Sequence, residues 1–318
     1  MTSPPHHLRP DTILATAPTP EFTALPNRRQ RALQTTKALR LWLRSERAAA
    51  CSIVYLLGLG AVAIAASRVA PFDPLEQDLT QILKGPSRSH LFGTDELGRD
   101  LMSRVIHGSR ISLATAAIAV TVAGAVGALC GLVAGYVEGT VGAVIMRLMD
   151  FLLAVPGILL AITIAAVLGA GFGPATIAVT IVSIPAFARL ARASVLSTKE
   201  EDFVQSTRCA GAGHLYLMFR TIFPNALSPL IVQASVAAAN AILLEAALSF
   251  LGLGTQPPDA SWGSLLSTGK SYLNQSAWYS VLPGIVLTAT VLAIDILGRA
   301  LQRRWGAGNV DAASGRAG

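Results

Sequence analysis

Between two long apolar runs of the sequence lies one polar stretch, which reads Glu201-Asp-Phe-Val-Gln-Ser-Thr-Arg-Cys-Ala-Gly-Ala-Gly-His-Leu-Tyr-Leu-Met-Phe-Arg-Thr-Ile-Phe-Pro-Asn225. Asp202 is the predicted N-cap of a first helix, because its carboxylate can accept unpaired N–H groups at the positive end of the helix dipole. Phe203, Val204 and Thr207 follow on one face at helical spacing. The first half of the stretch therefore predicts a short helix.

The second half of the stretch predicts a turn and another helix. Gly211 and Gly213 break the first helix, since glycine adopts the left-handed conformation that a helix end needs. A second helix is predicted from Leu215 to Ile222, ending before Pro224, which cannot continue it. The whole stretch is then a helix–turn–helix between two apolar segments.

Composition indicates a polytopic helical membrane protein. The chain has 318 residues, 52% hydrophobic and 14% charged, whereas soluble domains carry about 25% charged residues. Apolar runs of about 20 residues recur, and this length crosses a bilayer as a helix. The formal net charge of +7 comes from basic residues that flank the apolar runs, which favours a membrane over nucleic acid as the partner. Cys51, Cys130 and Cys209 lack metal-ligand spacing, so neither a metal site nor a disulfide is expected.

The apolar runs predict an all-α bundle of six membrane-spanning helices. The predicted spans are Ala48–Val69, Ile111–Tyr136, Ala143–Leu168, Pro174–Val195, Leu227–Leu253 and Ala277–Leu301. The chain then divides into a Pro/Arg-rich tail (1–47), the first span (48–69), an extracytoplasmic segment (70–107), a core (108–304) containing a cytoplasmic loop (196–225), and a second tail (305–318). In the second span, small-xxx-small spacing predicts close helix contact at Gly124, Gly127, Gly131 and Gly135.

Basic clusters predict the orientation of these spans. Arg28–Arg47 precedes the first span and Arg299–Arg304 ends the last one, and basic flanks of this kind stay in the cytoplasm. Both termini and the loop 196–225 are therefore predicted to be cytoplasmic. The more acidic segment 70–107 is predicted on the outer side.

The loop resembles the cytoplasmic coupling loop of ABC importer permeases. In that family the loop reads Glu-Ala-Ala, three residues, Gly, and later a hydrophobic residue followed by Pro. Gly211 and Phe223-Pro224 stand at the matching positions. Gln205-Ser-Thr207 replaces Glu-Ala-Ala, which removes a carboxylate that could form an ion pair with an ATPase subunit.

Motifs outside the loop resemble the second permease subunit of dipeptide and oligopeptide importers, a family that includes nickel importers. They are His90-Leu-Phe-Gly-Thr-Asp-Glu-Leu-Gly-Arg-Asp100, Glu245-Ala-Ala-Leu-Ser-Phe-Leu-Gly-Leu-Gly-Thr-Gln-Pro-Pro258 and Leu282-Pro-Gly-Ile-Val-Leu-Thr288. The likeness extends from about Leu91 to Arg304. The charges of the first motif are predicted to cap and anchor a helix at the membrane interface rather than to carry out chemistry.

The resemblance implies a non-catalytic permease subunit in the bacterial cytoplasmic membrane that translocates a peptide or a similarly carried small ligand. It implies a complex with a homologous permease subunit, separate ATP-binding subunits and an extracytoplasmic binding protein, and no cofactor. The residues expected at the ATPase contact are Asp202, Phe203, Gln205, Ser206, Thr207, Gly211, Phe223 and Pro224.

One stretch imitates a phosphate-binding loop. Gly263-Ser-Leu-Leu-Ser-Thr-Gly-Lys-Ser271 has one residue too many between its glycines and follows no predicted strand. We therefore expect ATP hydrolysis to come from a separate subunit.

Charged residues within the apolar runs are the remaining site candidates, since charge at membrane depth is costly unless paired or functional. Asp150 has Arg147 three residues before it and Asp295 has Arg299 four residues after it, so each can pair locally. Glu245 has no local partner, and it and Asp295 are kept as possible pore or subunit-interface residues. For Glu245, packing between helices is an equal alternative.

Three other classes of protein remain open on the residues alone. A secondary transporter would need ion-binding carboxylates and usually inverted repeats, and no clear repeat is visible. A channel would need a pore-lining filter, and a membrane enzyme would need clustered acid–base or metal residues at one membrane face. Only an ATP-driven permease needs a docking element such as the loop 196–225.

Overall fold

The computed structural model describes the backbone of residues 47–314 and the side chains of residues 47–304. The predicted tail 1–47 therefore lies outside the described residues except for Arg47, and so do the side chains of the tail 305–318. Within the described part, the regular elements are helices, and Thr94 and Asp100 form an isolated antiparallel bridge.

The helices are, in chain order, α1 (Arg47–Ile64), α2 (Ala66–Val69), α3 (Leu101–Tyr136), α4 (Gly139–Ala154), α5 (Gly157–Leu168), α6 (Phe172–Lys199), α7 (Asp202–Cys209), α8 (His214–Tyr216), a π-helical segment (Leu217–Ile222), α9 (Phe223–Ala226), α10 (Ser228–Phe250), α11 (Trp262–Ser271) and α12 (Trp278–Ser314). A short 3₁₀ turn, Leu79–Gln81, lies between α2 and α3. In the part of the chain that the structure describes, five helices are long and apolar enough to cross a membrane: α1, α3, α6, α10 and α12. The pair α4 and α5 passes the same test together, which confirms the predicted all-α bundle with six spans when the pair counts as one.

The predicted third span, Ala143–Leu168, is not one straight helix. α4 and α5 meet at an angle of 90°. Pro156 lies at the break. The helix ends there because proline donates no backbone N–H and disfavours helical backbone in the residue before it. Val155 accordingly has extended dihedrals, φ −97° and ψ 134°.

Two long helices, α3 and α6, run parallel and in contact, which fixes the path of the chain between them. Thr115 Oγ1 lies 3.4 Å from Thr176 Oγ1 towards one end of the pair. Towards the other end, which we call the loop side because the loop 196–225 follows α6 there, Gly135 packs on Val195. Since both helices finish on the loop side, the chain must cross back between them, and α4 with α5 makes that crossing.

The contact between α3 and α6 depends on the absence of side chains at three glycines. A Cβ placed on Gly131 would lie 2.4 Å from the carbonyl oxygen of Ala188, and one on Gly127 would lie 2.6 Å from Phe187 Cβ. A Cβ on Gly135 would lie 2.8 Å from Val195 Cγ1, which is also too close. A Cβ on Gly124 would meet the Phe187 ring at 3.7 Å, which is an ordinary van der Waals distance. The predicted helix contact is thus confirmed at all four glycines, although only Gly127, Gly131 and Gly135 leave no room for a side chain.

α3 begins at Leu101, ten residues before the predicted second span and inside the predicted extracytoplasmic segment. Asp100 is its N-cap: the carboxylate accepts hydrogen bonds from Ser103 N at 2.8 Å and from Ser103 Oγ at 2.7 Å. His90 Nδ1 lies 2.9 Å from the other oxygen of Asp100. The predicted capping role of the His90–Asp100 motif is therefore confirmed.

A buried ion network holds the same motif against the helix. Asp95, which is fully buried, pairs with Arg99 at 2.6 Å and with Arg104 of α3 at 3.3 Å. Glu96 pairs with Arg99 and accepts a hydrogen bond from Tyr279 of α12. These pairs compensate charges that would otherwise be costly to bury, and they join the segment before α3 to the last span.

The stretch that imitates a phosphate loop lies inside α11. A Cβ on Gly263 would lie 2.6 Å from Ala246 of α10, and one on Gly269 would lie 2.6 Å from Ser280 of α12. These glycines therefore allow close helix packing, and the backbone between them is helical rather than an open anion-binding turn.

Candidate functional site

The first helix of the loop, α7, starts one residue earlier than predicted. Glu201 has the extended backbone of an N-cap, with φ −71° and ψ 144°, and Asp202 is the first helical residue. The Asp202 carboxylate still lies in the first turn, where the helix dipole favours negative charge. Asp202 as N-cap is wrong, while the predicted helix itself is confirmed.

The turn after α7 is a Schellman motif with Gly211 at its left-handed position. Gly211 has φ +84°. Its N–H bonds to the carbonyl of Arg208 at 3.0 Å, and Ala212 N–H bonds to that of Thr207 at 3.3 Å. This pair of bonds defines the motif, which ends the helix and turns the chain sharply.

The second half of the loop is helical for longer than predicted. α8 begins at His214, passes into the π-helical segment Leu217–Ile222 and continues as α9. Pro224 does not end the helix but lies in the first turn of α9. The N–H of Phe223 bonds to the Met218 carbonyl with π-helical spacing, and Pro224, which has no N–H, follows where the hydrogen bonding changes to α-helical spacing.

The buried side of the loop is fixed to α3 and α6 by an apolar cluster. Val204 of α7 and Ile222 are both fully buried, and Leu217 is nearly so. They pack with Leu132 of α3 and Val195 of α6. Because both halves of the loop share this cluster with two spans, the loop is attached as a unit to their loop-side ends.

Polar contacts at Tyr136 and Lys199 strengthen this attachment. Tyr136, the last residue of α3, places its hydroxyl 2.8 Å from His214 Nδ1. Lys199, the last residue of α6, donates to the Tyr136 carbonyl at 3.3 Å and to Glu138 at 2.5 Å. The hydrogen bond from the Lys199 ammonium lowers the pKa of the exposed Glu138 carboxyl, and its positive charge adds to the effect. Sequence reasoning missed Tyr136, whose only signal is its position at the end of an apolar run.

Four large apolar side chains of the loop are exposed among its polar residues. Phe203 is 43% exposed, Leu215 72%, Tyr216 56% and Phe219 44%. These four residues, which we call the loop face, include one predicted contact residue, Phe203. Phe203 and Val204 therefore lie on different sides of α7, contrary to the shared face predicted from spacing.

The remaining predicted loop residues have local bonds. The Gln205 amide reaches the Lys199 carbonyl at 3.4 Å, and the hydroxyls of Ser206 and Thr207 donate to carbonyls one turn earlier in α7. Phe223 is half-buried against the loop cluster, and Pro224 is exposed. Gln205 is also exposed, as a contact with another subunit would require.

Glu245 lies in the interior of the chain rather than on its surface. It is 2% exposed in α10 and accepts hydrogen bonds from Ser112 of α3 at 3.0 Å and Ser249 at 2.8 Å. Ser261, the N-cap of α11, donates to Ser249. This arrangement joins α3, α10 and the start of α11, and it favours the helix-packing alternative; a pore role for Glu245 stays a prediction.

The other charged candidates have partners. Asp295 pairs with Arg299 at 2.5 Å on the same helix. Asp150 pairs with Arg189 of α6 at 2.6 Å rather than with Arg147, so that local pairing is wrong. The α4–α6 contact supplies a cation that the spacing along the chain did not reveal.

Comparisons with known proteins agree with this architecture. A model of the family described as the binding-protein-dependent transport system inner membrane component matches residues 127–307. The chain is similar to the di/tripeptide transport system permease protein DppC of Pseudomonas aeruginosa, at 45% identity over 79% of this chain and 84% of that protein. It is 41% identical to the dipeptide transport system permease protein DppC of Escherichia coli K12, over 82% of this chain and 89% of that protein.

Two more comparisons extend the likeness. The glutathione transport system permease protein GsiD of Pectobacterium atrosepticum is 39% identical over 93% of this chain and 96% of that protein. Among solved structures, an inward-facing MetNI methionine ABC transporter has a similar fold, with a TM-score of 0.54 at 17% identity over 64% of this chain and 97% of that one. Because the family model matches more than half of the chain and relatives above 30% identity cover most of it, this chain belongs to the inner membrane permease components of binding-protein-dependent ABC importers.

Proposed function

We propose that this chain is a permease subunit that carries dipeptides or similarly small peptides into a bacterial cell, and that its loop face receives an ATPase subunit. The peptide substrate is inferred from relatives that are dipeptide and di/tripeptide permeases. The chain itself would not hydrolyse ATP, and a homologous permease subunit would complete the path across the membrane.

The observation that carries the coupling role is the two-sided construction of the loop. One side is buried on α3 and α6, and the loop face presents large apolar side chains away from the bundle. An apolar patch beside polar residues is typical of a protein–protein contact. A partner that moves against the loop face would shift the loop-side ends of both spans together.

This movement would provide the switch between inward-open and outward-open states. Closure of the ATPase subunits on ATP would push the loop, and the parallel α3–α6 pair would tilt as a rigid unit. The fixed contacts at Val204, Leu217 and Ile222 prevent the loop from yielding on its own.

Substitution of Leu215 tests the proposal. Leu215→Glu places a charge in the loop face and should abolish co-purification of the ATPase subunits with the permease. Leu79→Glu is the matched control, because Leu79 is similarly exposed, at 68% against 72%, in the segment before α3. Retention of the ATPase by Leu215→Glu would refute the loop face as the docking surface.

Gln205→Glu is a companion test of the departure from the family motif. If the neutral amide has replaced an ion pair by a hydrogen bond, the variant should be tolerated and should bind the ATPase more tightly at low salt, where charges are screened less. Equal binding at low and high salt would show that no cation faces this position.

A further inference from the structure

A groove along α6 and α10 is lined by three amide side chains that have no hydrogen-bond partner among the described residues: Gln302 in α12, and Gln233 and Asn240 in α10. Gln233 is half-buried in the second turn of α10, and Asn240 is exposed near the middle of the same helix. An unpaired amide in hydrocarbon costs several kcal/mol, so neither side chain is suited to a lipid-facing surface. Their partner must therefore come from outside the described residues.

The shape of the groove shows where that partner would lie. A part of about 750 Å³ opens on the loop side, between Ser194 and Ser197 of α6 and Ser228 of α10. A narrower part of about 130 Å³ continues to mid-span, between Ser183 and Asn240. Gln233 lines both parts, which therefore adjoin at this residue of α10.

The packing of α10 leaves this side of the helix open. α10 contacts α3, α5, α6, α9, α11 and α12. The exposed stripe that remains includes Val236 and Leu243, at 45% and 46% exposure, with Asn240 between them. Polar residues inside a membrane span face a bundle interior or a water-filled cavity rather than lipid.

We propose that this groove is the wall of the peptide path, and that Gln233 and Asn240 bind the backbone amides of the passing peptide. This inference rests on the proposed function and names the residues that contact its substrate. A side-chain amide offers both donors and an acceptor without charge, which matches a peptide N–H and C=O whatever the neighbouring side chains are.

The spacing of the two amides fits a short peptide. Asn240 lies seven positions after Gln233, which is about 10.5 Å along an α-helix. An extended peptide rises about 3.3–3.4 Å per residue, so roughly three residues cover that distance. A dipeptide with its terminal groups, or a tripeptide, can therefore contact both amides.

Thiol labelling of the assembled complex tests whether the groove is a path. In a variant without Cys51, Cys130 and Cys209, a membrane-impermeant sulfonated maleimide is added to inside-out vesicles. The reagent should label Gln233→Cys and Asn240→Cys. It should not label the control Leu57→Cys, since Leu57 is 69% exposed at mid-span of α1, a helix at the edge of the bundle.

Protection from labelling at both groove positions would overturn the proposal, because the stripe would then be covered by lipid or by the partner permease. Labelling does not depend on transport, so this result is separate from a failure of the proposed ATP-driven import.

A transport measurement tests the peptide contact itself. In proteoliposomes supplied with alanylalanine, Gln233→Leu and Asn240→Leu should each lower the number of peptides carried per ATP hydrolysed by up to about five-fold, because one lost neutral hydrogen bond weakens peptide binding in the path by about that factor. Asn240→Gln keeps the amide and should lose less than Asn240→Leu. An unchanged ratio in both leucine variants would overturn the assignment of the two amides as peptide contacts.

Discussion

Gly211→Val should uncouple the loop without altering the spans. Gly211 has φ +84°, and a Cβ built there has no heavy atom within 4 Å beyond its chain neighbours. The cost of a side chain is therefore backbone strain alone, about 1–2 kcal/mol for an L-residue in the left-handed region. β-branching increases this cost. A penalty of this size changes the population of the intact turn by a factor of about 5–30.

The chain offers a matched control two residues away. Gly213 is equally exposed, also has no atom near a built Cβ, and has φ −69° and ψ 158°, which valine adopts readily. Gly213→Val should therefore behave as the unaltered protein does. Gly211→Asn should lie between the two valine variants, because asparagine tolerates the left-handed region better than other non-glycine residues.

The assay is co-purification of the ATPase subunits, followed by ATP hydrolysis with and without ligand-loaded binding protein. Gly211→Val should insert normally and bind the binding protein, but it should lose the ATPase subunits or the stimulation of hydrolysis. Normal stimulated hydrolysis in Gly211→Val, or an equal defect in Gly213→Val, would refute the argument from backbone strain.

Three other predictions concern the bundle. Gly131→Ala should destabilise the α3–α6 pair by about 1–3 kcal/mol, because its Cβ meets a backbone oxygen, whereas Gly124→Ala should be nearly neutral in the same thermal-unfolding measurement. Glu245→Leu should lower stability by about 1–3 kcal/mol through unpaired serine hydroxyls, whereas Glu245→Gln should retain most of it; equal losses would argue against the hydrogen-bond network. In a cysteine-free background, an impermeant thiol reagent added to intact cells should label Ser87→Cys and not Ser197→Cys, and the reverse pattern would invert the proposed topology.

The sequence alone was enough to predict how many spans there are and where the loop lies between them, because both depend on local properties. Apolar length predicts a membrane helix wherever it occurs, and the turn at Gly211 follows from the conformational freedom of glycine. The cap at Asp100 was likewise anticipated from charges placed before a span. Exact helix boundaries were less certain where two neighbouring residues can both act as the N-cap. The helix α7 was predicted to have Asp202 as its N-cap, and its N-cap is Glu201.

Tertiary structure decided which faces meet. Asp150 pairs with Arg189 rather than Arg147, and Glu245 accepts a hydrogen bond from Ser112 of α3, since these contacts join residues distant along the chain. The open stripe of α10 could not be found from its hydropathy, because Asn240 becomes informative only when packing covers the other sides of the helix. Local chemistry determines what each segment can form, whereas the packing of helices determines which polar groups still need a partner.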